Sequence, residues 1–122
     1  MVLGLGIDVV KVRRMRDAVL KEGFLKRVYT EKEIELFNSR ADLALTAASN
    51  FAAKEAVIKA LALGMSRTHF NEIEVLRKTS GQPYAVLYGN AKEAFLNMQG
   101  KNLIISITNT EDSTAAVAVI EG

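Results

Sequence analysis

Cysteine is absent from the 122 residues, and proline and histidine occur once each, as Pro83 and His69. The missing cysteines exclude disulfides, thiolate metal sites and cysteine nucleophiles together, and they are compatible with a reducing compartment. The single histidine lies outside every motif described below. It reads as a loop residue, and a histidine base is not expected. No repeat, low-complexity stretch or linker is visible. Met1 to Asp8 has no basic segment before its short apolar run and does not read as a signal peptide.

Long apolar runs are nearly absent too. The one exception, Ala44 to Leu63, contains Lys54, Glu55 and Lys59. Each charge would cost about 2.5–3.5 kcal/mol at a bilayer centre, so the run reads as a buried helix of a cytosolic protein. With 49% apolar residues, a chain of this length supports one domain, here taken as residues 1–122, around a modest core. Roughly a third of its unfolded surface stays exposed after folding, and association with further copies is one way to cover more.

What is present is unevenly distributed charge. Residues 11–27 hold seven basic and two acidic residues, or +5, which leaves −3 on the rest of a chain of net charge +2. A basic patch on a mildly acidic body points to an acidic partner or a phosphate ligand.

Residue patterning predicts an α+β chain. Met1 to Val10 reads as a strand ending at Asp8, and Lys11 to Glu22 as a basic helix stopped by Gly23, with a further turn at Phe24 to Val28. Thr30 and Glu33 form a capping box for a helix to Asn38. Asp42 opens the long alanine-rich helix, and Gly64 offers a left-handed cap to close it. After a loop over Met65 to Asn71, Glu72–Lys78 and Pro83–Tyr88 form a hairpin about a turn at Thr79–Gln82. Asn90 to Met98 fits a short helix, and Leu103–Thr108 and Thr114–Ile120 are two more strands. The order gives a mostly antiparallel sheet packed on the long helix.

Two features carry chemistry. Glu55 and Lys59 are four apart on one face of the long helix, with Phe51 a turn earlier. A solvent stripe with one ion pair, worth about 0.3–0.5 kcal/mol, is the plain reading. Alanine all round the helix argues instead for close neighbours and positioned charges. Asp8 ends an apolar strand after Gly4 and Gly6, where it serves as a metal ligand or as a cap for the next helix. Together, Asp8 and Glu55 suit a hard cation such as Mg²⁺, which takes one or two carboxylates and leaves places for water and phosphate. Lys59 would then neutralise phosphate charge.

Gly6-Ile7-Asp8-Val9-Val10 and Phe51-Ala52-Ala53-Lys54-Glu55-Ala56-Val57-Ile58-Lys59-Ala60-Leu61 resemble the two signature blocks of the holo-acyl-carrier-protein synthase family. Glu72-Ile73-Glu74-Val75, Gly81-Gln82-Pro83-Tyr84 and Ser106-Ile107-Thr108-Asn109-Thr110 resemble its hairpin and last motif, in the same order along the chain. The resemblance implies the phosphopantetheinyl transferase fold. It also implies transfer of the 4′-phosphopantetheine arm of coenzyme A to a serine of an apo acyl carrier protein of fatty acid biosynthesis, with release of adenosine 3′,5′-bisphosphate. Asp8 and Glu55 would bind Mg²⁺. Lys59 would contact phosphate and complete the catalytic set, and Ser106, Thr108 and Asn109 would contact coenzyme A. Arg13, Arg14 and Arg16, with Met15 as an apolar anchor, would dock the acidic carrier protein. A cytoplasmic homotrimer with sites between subunits is implied as well, with apolar strands such as Leu103–Ile107 and Ala115–Ile120 as candidate interface.

Two positions depart from the family pattern. Asn50 stands where arginine is usual before the phenylalanine, and Asn109 where histidine is usual; both family residues would lie near the coenzyme's phosphates or ribose. Losing a charge-assisted contact costs about 1.5–3 kcal/mol. Arg40, Arg67 and His69 are candidates to compensate. A degenerate relative that binds a carrier protein without transferring the arm is therefore a second reading. A nucleic-acid-binding protein is a third, opposed by the lack of aromatic interleaving in the basic helix and by the net acidic remainder of the chain, and a non-catalytic assembly protein is a fourth.

Overall fold

The computed structural model describes residues 1–64 and 69–122. In chain order the elements are β1 (Val2–Lys11), α1 (Val12–Ala18), α2 (Phe24–Val28), α3 (Glu31–Asn38) and α4 (Leu43–Ala60). A 3₁₀ turn at Phe70–Glu72 follows, then β2 (Ile73–Arg77), β3 (Pro83–Leu87), α5 (Gly89–Asn97), β4 (Asn102–Asn109) and β5 (Ser113–Glu121). The predicted α+β order is present. The strands form two antiparallel sheets, β1-β5-β4 and the hairpin β2-β3.

α4 organises the rest. Twelve of its 18 residues are buried, so it is enclosed on nearly all sides instead of presenting one apolar stripe. Ala52, Ala53, Ala56 and Ala60 pack with Ile105, Ala116, Ala118 and Ile120 of the three-stranded sheet. Ala47 and Ala48 pack with Val12, Met15, Tyr29 and Phe37 of the first three helices and their connections. Alanine is a strong helix former and short enough for backbones to approach from both sides.

The approach is closest at β1. A Cβ built on Gly6 would lie 1.9 Å from the Ala56 carbonyl oxygen, and one built on Gly4 would lie 2.1 Å from that of Ala60. Only glycine admits this contact, and it sets β1 directly on the C-terminal half of α4. Alternation along β1 then turns Gly4, Gly6 and Asp8 toward the helix and leaves Leu5, Ile7 and Val9 outside, each more than 60% exposed.

Thr30 and Glu33 make the capping box of α3, and the Asp42 side chain accepts from the Leu45 N–H to cap α4, as the sequence predicts. Three local expectations are corrected. β1 runs on to Lys11, and the α1 N-cap is Lys11 with no side-chain cap bond, so Asp8 is not a helix cap. α1 is shorter than predicted, ending at Ala18. α4 closes through Ala62 at φ 56°, not through Gly64. The early turn keeps Leu61 buried and brings Leu63 back onto the core, and that apolar gain outweighs the preference for glycine.

Gly6→Ala should destabilise the fold by at least about 1–3 kcal/mol, the usual cost of overpacking, because the clashing atom is backbone and cannot rotate away. Denaturant unfolding checks this; a change below about 0.5 kcal/mol would show that β1 does not rest on α4.

Candidate functional site

Asp8, Glu55 and Lys59 meet on one side of the β1–α4 junction. The Lys59 ammonium donates to the Ile7 carbonyl at 2.9 Å and reaches the Asp8 carboxylate at 3.4 Å. Its side chain remains 54% exposed, so it can still take an anion. The glycine contact puts Asp8 opposite the helix, and the four-residue spacing puts Glu55 and Lys59 on the face that Asp8 meets.

These side chains open into a cleft of about 480 Å³. Asp8, Glu55, Lys59, Lys11 and Arg14 form its charged wall, and Phe24 and Phe51 part of its apolar wall. Three cations against two carboxylates make the cleft net positive. The Phe51 ring stacks on Phe70 at 5.2 Å between centroids, which fixes that side.

The Glu55 carboxyl is held above its ordinary value. Partial burial is the main cause, repulsion from Asp8 adds to it, and attraction to Lys59 opposes it. A half-buried carboxyl whose ionisation is opposed by a neighbouring carboxylate sits in a donor set that gains from added positive charge. Among the described residues no group of three or more His, Asp and Glu side chains gathers to hold a metal. The pair matches the one or two protein carboxylates that Mg²⁺ commonly takes, the other positions going to water and phosphate oxygens.

The remaining predicted residues are dispersed. Ser106 and Thr108 are exposed on β4 and lie on the outer face of the sheet, away from α4. Asn109 turns inward: its side-chain oxygen accepts from Ser49 at 3.0 Å and from Thr114 at 2.6 Å. Arg13 and Arg14 are exposed on α1. Arg16 is exposed but paired with Asp42 through two bonds of 3.0 and 2.8 Å. Met15 is corrected. It is 4% exposed and its sulfur lies 3.7 Å from the Tyr29 hydroxyl, because positions 12 and 15 of α1 face the core. Within one chain it is no surface anchor.

The Asn50 side chain is fully buried, and its amide donates to Glu33 at 2.9 Å and to the Val75 carbonyl at 2.8 Å. Of the residues offered as compensation, Arg40 and His69 are exposed, and Arg67 lies outside the described residues.

Sequence reading missed the group that Asn50 belongs to. Glu33 and Lys54 form a fully buried ion pair at 2.6 Å. The Lys54 ammonium also donates to the carbonyls of Phe70, at 2.8 Å, and Ile73. Burial pushes the Glu33 carboxyl up and the Lys54 ammonium down, and their attraction works against both shifts. Glu74 is buried beside them and accepts from Thr30 at 2.5 Å and Tyr88 at 3.1 Å. The signal for Glu33 was hidden by its capping role: one oxygen serves the Thr30 N–H while both reach into the core.

A cleft with two carboxylates, a lysine and surplus positive charge, at the junction of the two sequence blocks, is suited to phosphate chemistry. Comparison with known proteins decides the family. The family model described as the 4′-phosphopantetheinyl transferase superfamily matches residues 4–119. The chain belongs to that superfamily. It is 40% identical over 121 residues to the holo-(acyl-carrier-protein) synthase of Caldicellulosiruptor saccharolyticus, covering 99% of this chain and 98% of the relative. The crystal structure of the Neisseria meningitidis holo-(acyl-carrier-protein) synthase superposes with a TM-score of 0.86 at 29% identity over the whole of both chains. That of the Helicobacter pylori synthase, in complex with coenzyme A, gives 0.82 at 29% identity over 96% of this chain and 99% of the other. The α+β arrangement is thus the fold of this transferase family. Among the described residues no helix is long and apolar enough to cross a membrane.

A carboxyl held above its unfolded value binds its proton more tightly when folded, so ionised Glu55 weakens the fold above the usual glutamate range. Glu55→Gln should therefore melt slightly above the parent at pH 7 without ligand, by less than about 1 kcal/mol because the site is open to solvent. The gap should close as pH falls through the carboxylate range. Thermal melts at pH 4.5 and 7 check this, and a parent that melts higher than Glu55→Gln at pH 7 would contradict the origin assigned to the shift.

Proposed function

We propose that this chain, acting throughout its length as one transferase domain, moves the 4′-phosphopantetheine arm of coenzyme A onto a serine of an apo acyl carrier protein, giving the holo carrier and adenosine 3′,5′-bisphosphate. The observation that carries this is the meeting of Asp8, Glu55 and Lys59 in one net-positive cleft, in a chain whose full-length relatives are holo-(acyl-carrier-protein) synthases.

Phosphoryl transfer asks the protein mainly for positioning and charge stabilisation. Lys59, tied to β1 through the Ile7 carbonyl yet exposed, offers its remaining N–H to a phosphate oxygen and meets the charge that builds there in transfer. Lys11 and Arg14 add attraction for the pyrophosphate. Asp8 and Glu55 would hold Mg²⁺, which supplies a Lewis acid for the bridging phosphates. The apolar wall of Phe24 and Phe51 offers a dry surface beside that charge. Arg13 on α1 is left exposed to meet the acidic carrier protein, with Arg14 between docking surface and cleft; such charge complementarity acts chiefly on encounter rate and partner choice.

The active form is proposed to be a cytoplasmic homotrimer. The outer face of β1-β5-β4 presents Leu5, Ile7 and Val9, with Ile104 47% exposed on β4, an apolar surface that calls for a cover. Ser106 and Thr108 lie on the same outer face, so they can serve a coenzyme A site only if that face meets the cleft of another copy. Asn109, on the inner face, would contribute at the rim.

Intact-mass measurement of an apo carrier protein after incubation with this protein, coenzyme A and Mg²⁺ tests the activity. A gain of one phosphopantetheine arm is expected, lost with EDTA and reduced at least about a hundredfold by Asp8→Ala, Glu55→Ala or Lys59→Ala. No gain across several carrier proteins with folded protein would favour the non-catalytic binder. Light scattering tests the assembly. The parent should run at about three times the 13.3 kDa chain mass, and Ile7→Glu should run as a single folded chain with little transfer. A fully active single-chain parent would refute the shared site.

A further inference from the structure

We infer that Lys54, buried and away from the cleft, is the positioning residue that sets the rotation of α4 and so the placement of Glu55 for transfer. The Lys54 ammonium has three N–H groups, and three acceptors meet it. These are the Glu33 carboxylate on α3 at 2.6 Å, the Phe70 carbonyl at the start of the 3₁₀ turn at 2.8 Å, and the Ile73 carbonyl at the start of β2. Every donor is used, and the acceptors come from three different segments, so the ammonium has one seat. The Tyr29 ring, 5.3 Å from it, closes a further side. Asn50, one turn earlier on α4, repeats the tie by donating to Glu33 and to the Val75 carbonyl on β2.

Lys54 and Glu55 are consecutive and point about 100° apart around the helix. The side of α4 that meets β1 is held by the glycine contacts at Ala56 and Ala60, which limit how near the strand comes. Most other packing around the helix is apolar and without directional bonds, and a hydrogen-bonded tether seated away from β1 adds a directional restraint on roll about the helix axis. A roll of about 10° would carry a carboxylate about 6 Å from the axis through about 1 Å. Misplacement of that size costs up to about a hundredfold in rate. The same lysine secures the cleft wall, because the carbonyl it holds belongs to Phe70, whose ring stacks on Phe51.

The inference rests on the reading of Asp8 and Glu55 as the metal pair, and the test separates the two. Lys54→Met keeps the length of the side chain without its donors but leaves Glu33 without its cation. The double variant Glu33→Gln/Lys54→Met removes both charges while keeping an acceptor for the Thr30 N–H. Replacing both members of a buried pair is commonly far milder than removing one, so the double variant is the informative one.

Melting temperature, kcat, KM for the carrier protein and Mn²⁺ affinity are measured for parent, both Lys54 variants and Glu55→Gln. The double variant, assayed well below its melting temperature, should lose about tenfold to a hundredfold in kcat and bind Mn²⁺ more weakly. Its KM for the carrier protein should be nearly unchanged, since the docking helix is untouched. A folded double variant, or a folded Lys54→Met, with parental kcat and Mn²⁺ affinity would overturn the inference and leave Lys54 a purely structural group. If Glu55→Gln binds Mn²⁺ as the parent does, the metal-pair reading fails by itself, and kcat of the double variant still decides for or against Lys54.

Discussion

The backbone contact between Gly4 and Gly6 of β1 and the carbonyls of Ala60 and Ala56 of α4 is the constraint on which the rest depends. A Cβ at those positions would lie 1.9 or 2.1 Å from a backbone oxygen, against the 3.0 Å that real Cβ contacts keep, so the strand would have to move outward. Asp8, two residues on and on the same side, would then lose its approach to Glu55 and Lys59. The contact needs glycine on one partner and a thin surface on the other, and alanine supplies the second. Composition that looks featureless in the sequence is thus what lets a strand carboxylate and a helix carboxylate share one cleft.

Charge placement follows from that packing. At the open side of α4, Glu55 and Lys59 sit where water and anions reach them, and partial burial beside Asp8 disfavours the ionised Glu55 carboxyl without added positive charge. On another side, Glu33 and Lys54 are fully enclosed and satisfy each other together with backbone carbonyls. α4 thereby carries Lys54, the cation of the enclosed pair, one residue before Glu55 of the open cleft. Enclosed ion pairs are poor sources of net stability, since desolvation consumes much of the attraction, but they tolerate few alternative geometries. That trade suits a helix whose angular setting matters.

The sequence disclosed much of this and concealed specific parts. Gly6-Ile7-Asp8 and the Lys-Glu helix block were legible because their residue types are rare in apolar surroundings, and the capping box at Thr30 and Glu33 was legible because its signal is local. Other features depended on neighbours distant in the chain. Lys54 and Glu55 look alike in a list of helix charges, and only the arrival of α3 and β2 decides that one is buried. Asn50 read as a weakened phosphate contact because the position was known and its direction was not. Met15 read as an anchor because α1 is basic all round its exposed side, and the buried side is fixed by Tyr29. The roles of Ser106 and Thr108 were least legible. They sit on a sheet face that one chain leaves uncovered, and their use depends on what covers it.

The most direct test of the central claim is a crystal structure with coenzyme A and Mn²⁺, with anomalous data collected at the manganese edge. The expected result is one anomalous peak bridging the Asp8 and Glu55 carboxylates, with a pyrophosphate oxygen on the same ion and the Lys59 ammonium within hydrogen-bond reach of a phosphate. A coenzyme bound elsewhere on the chain, or a cleft in which neither carboxylate touches the ion, would contradict it.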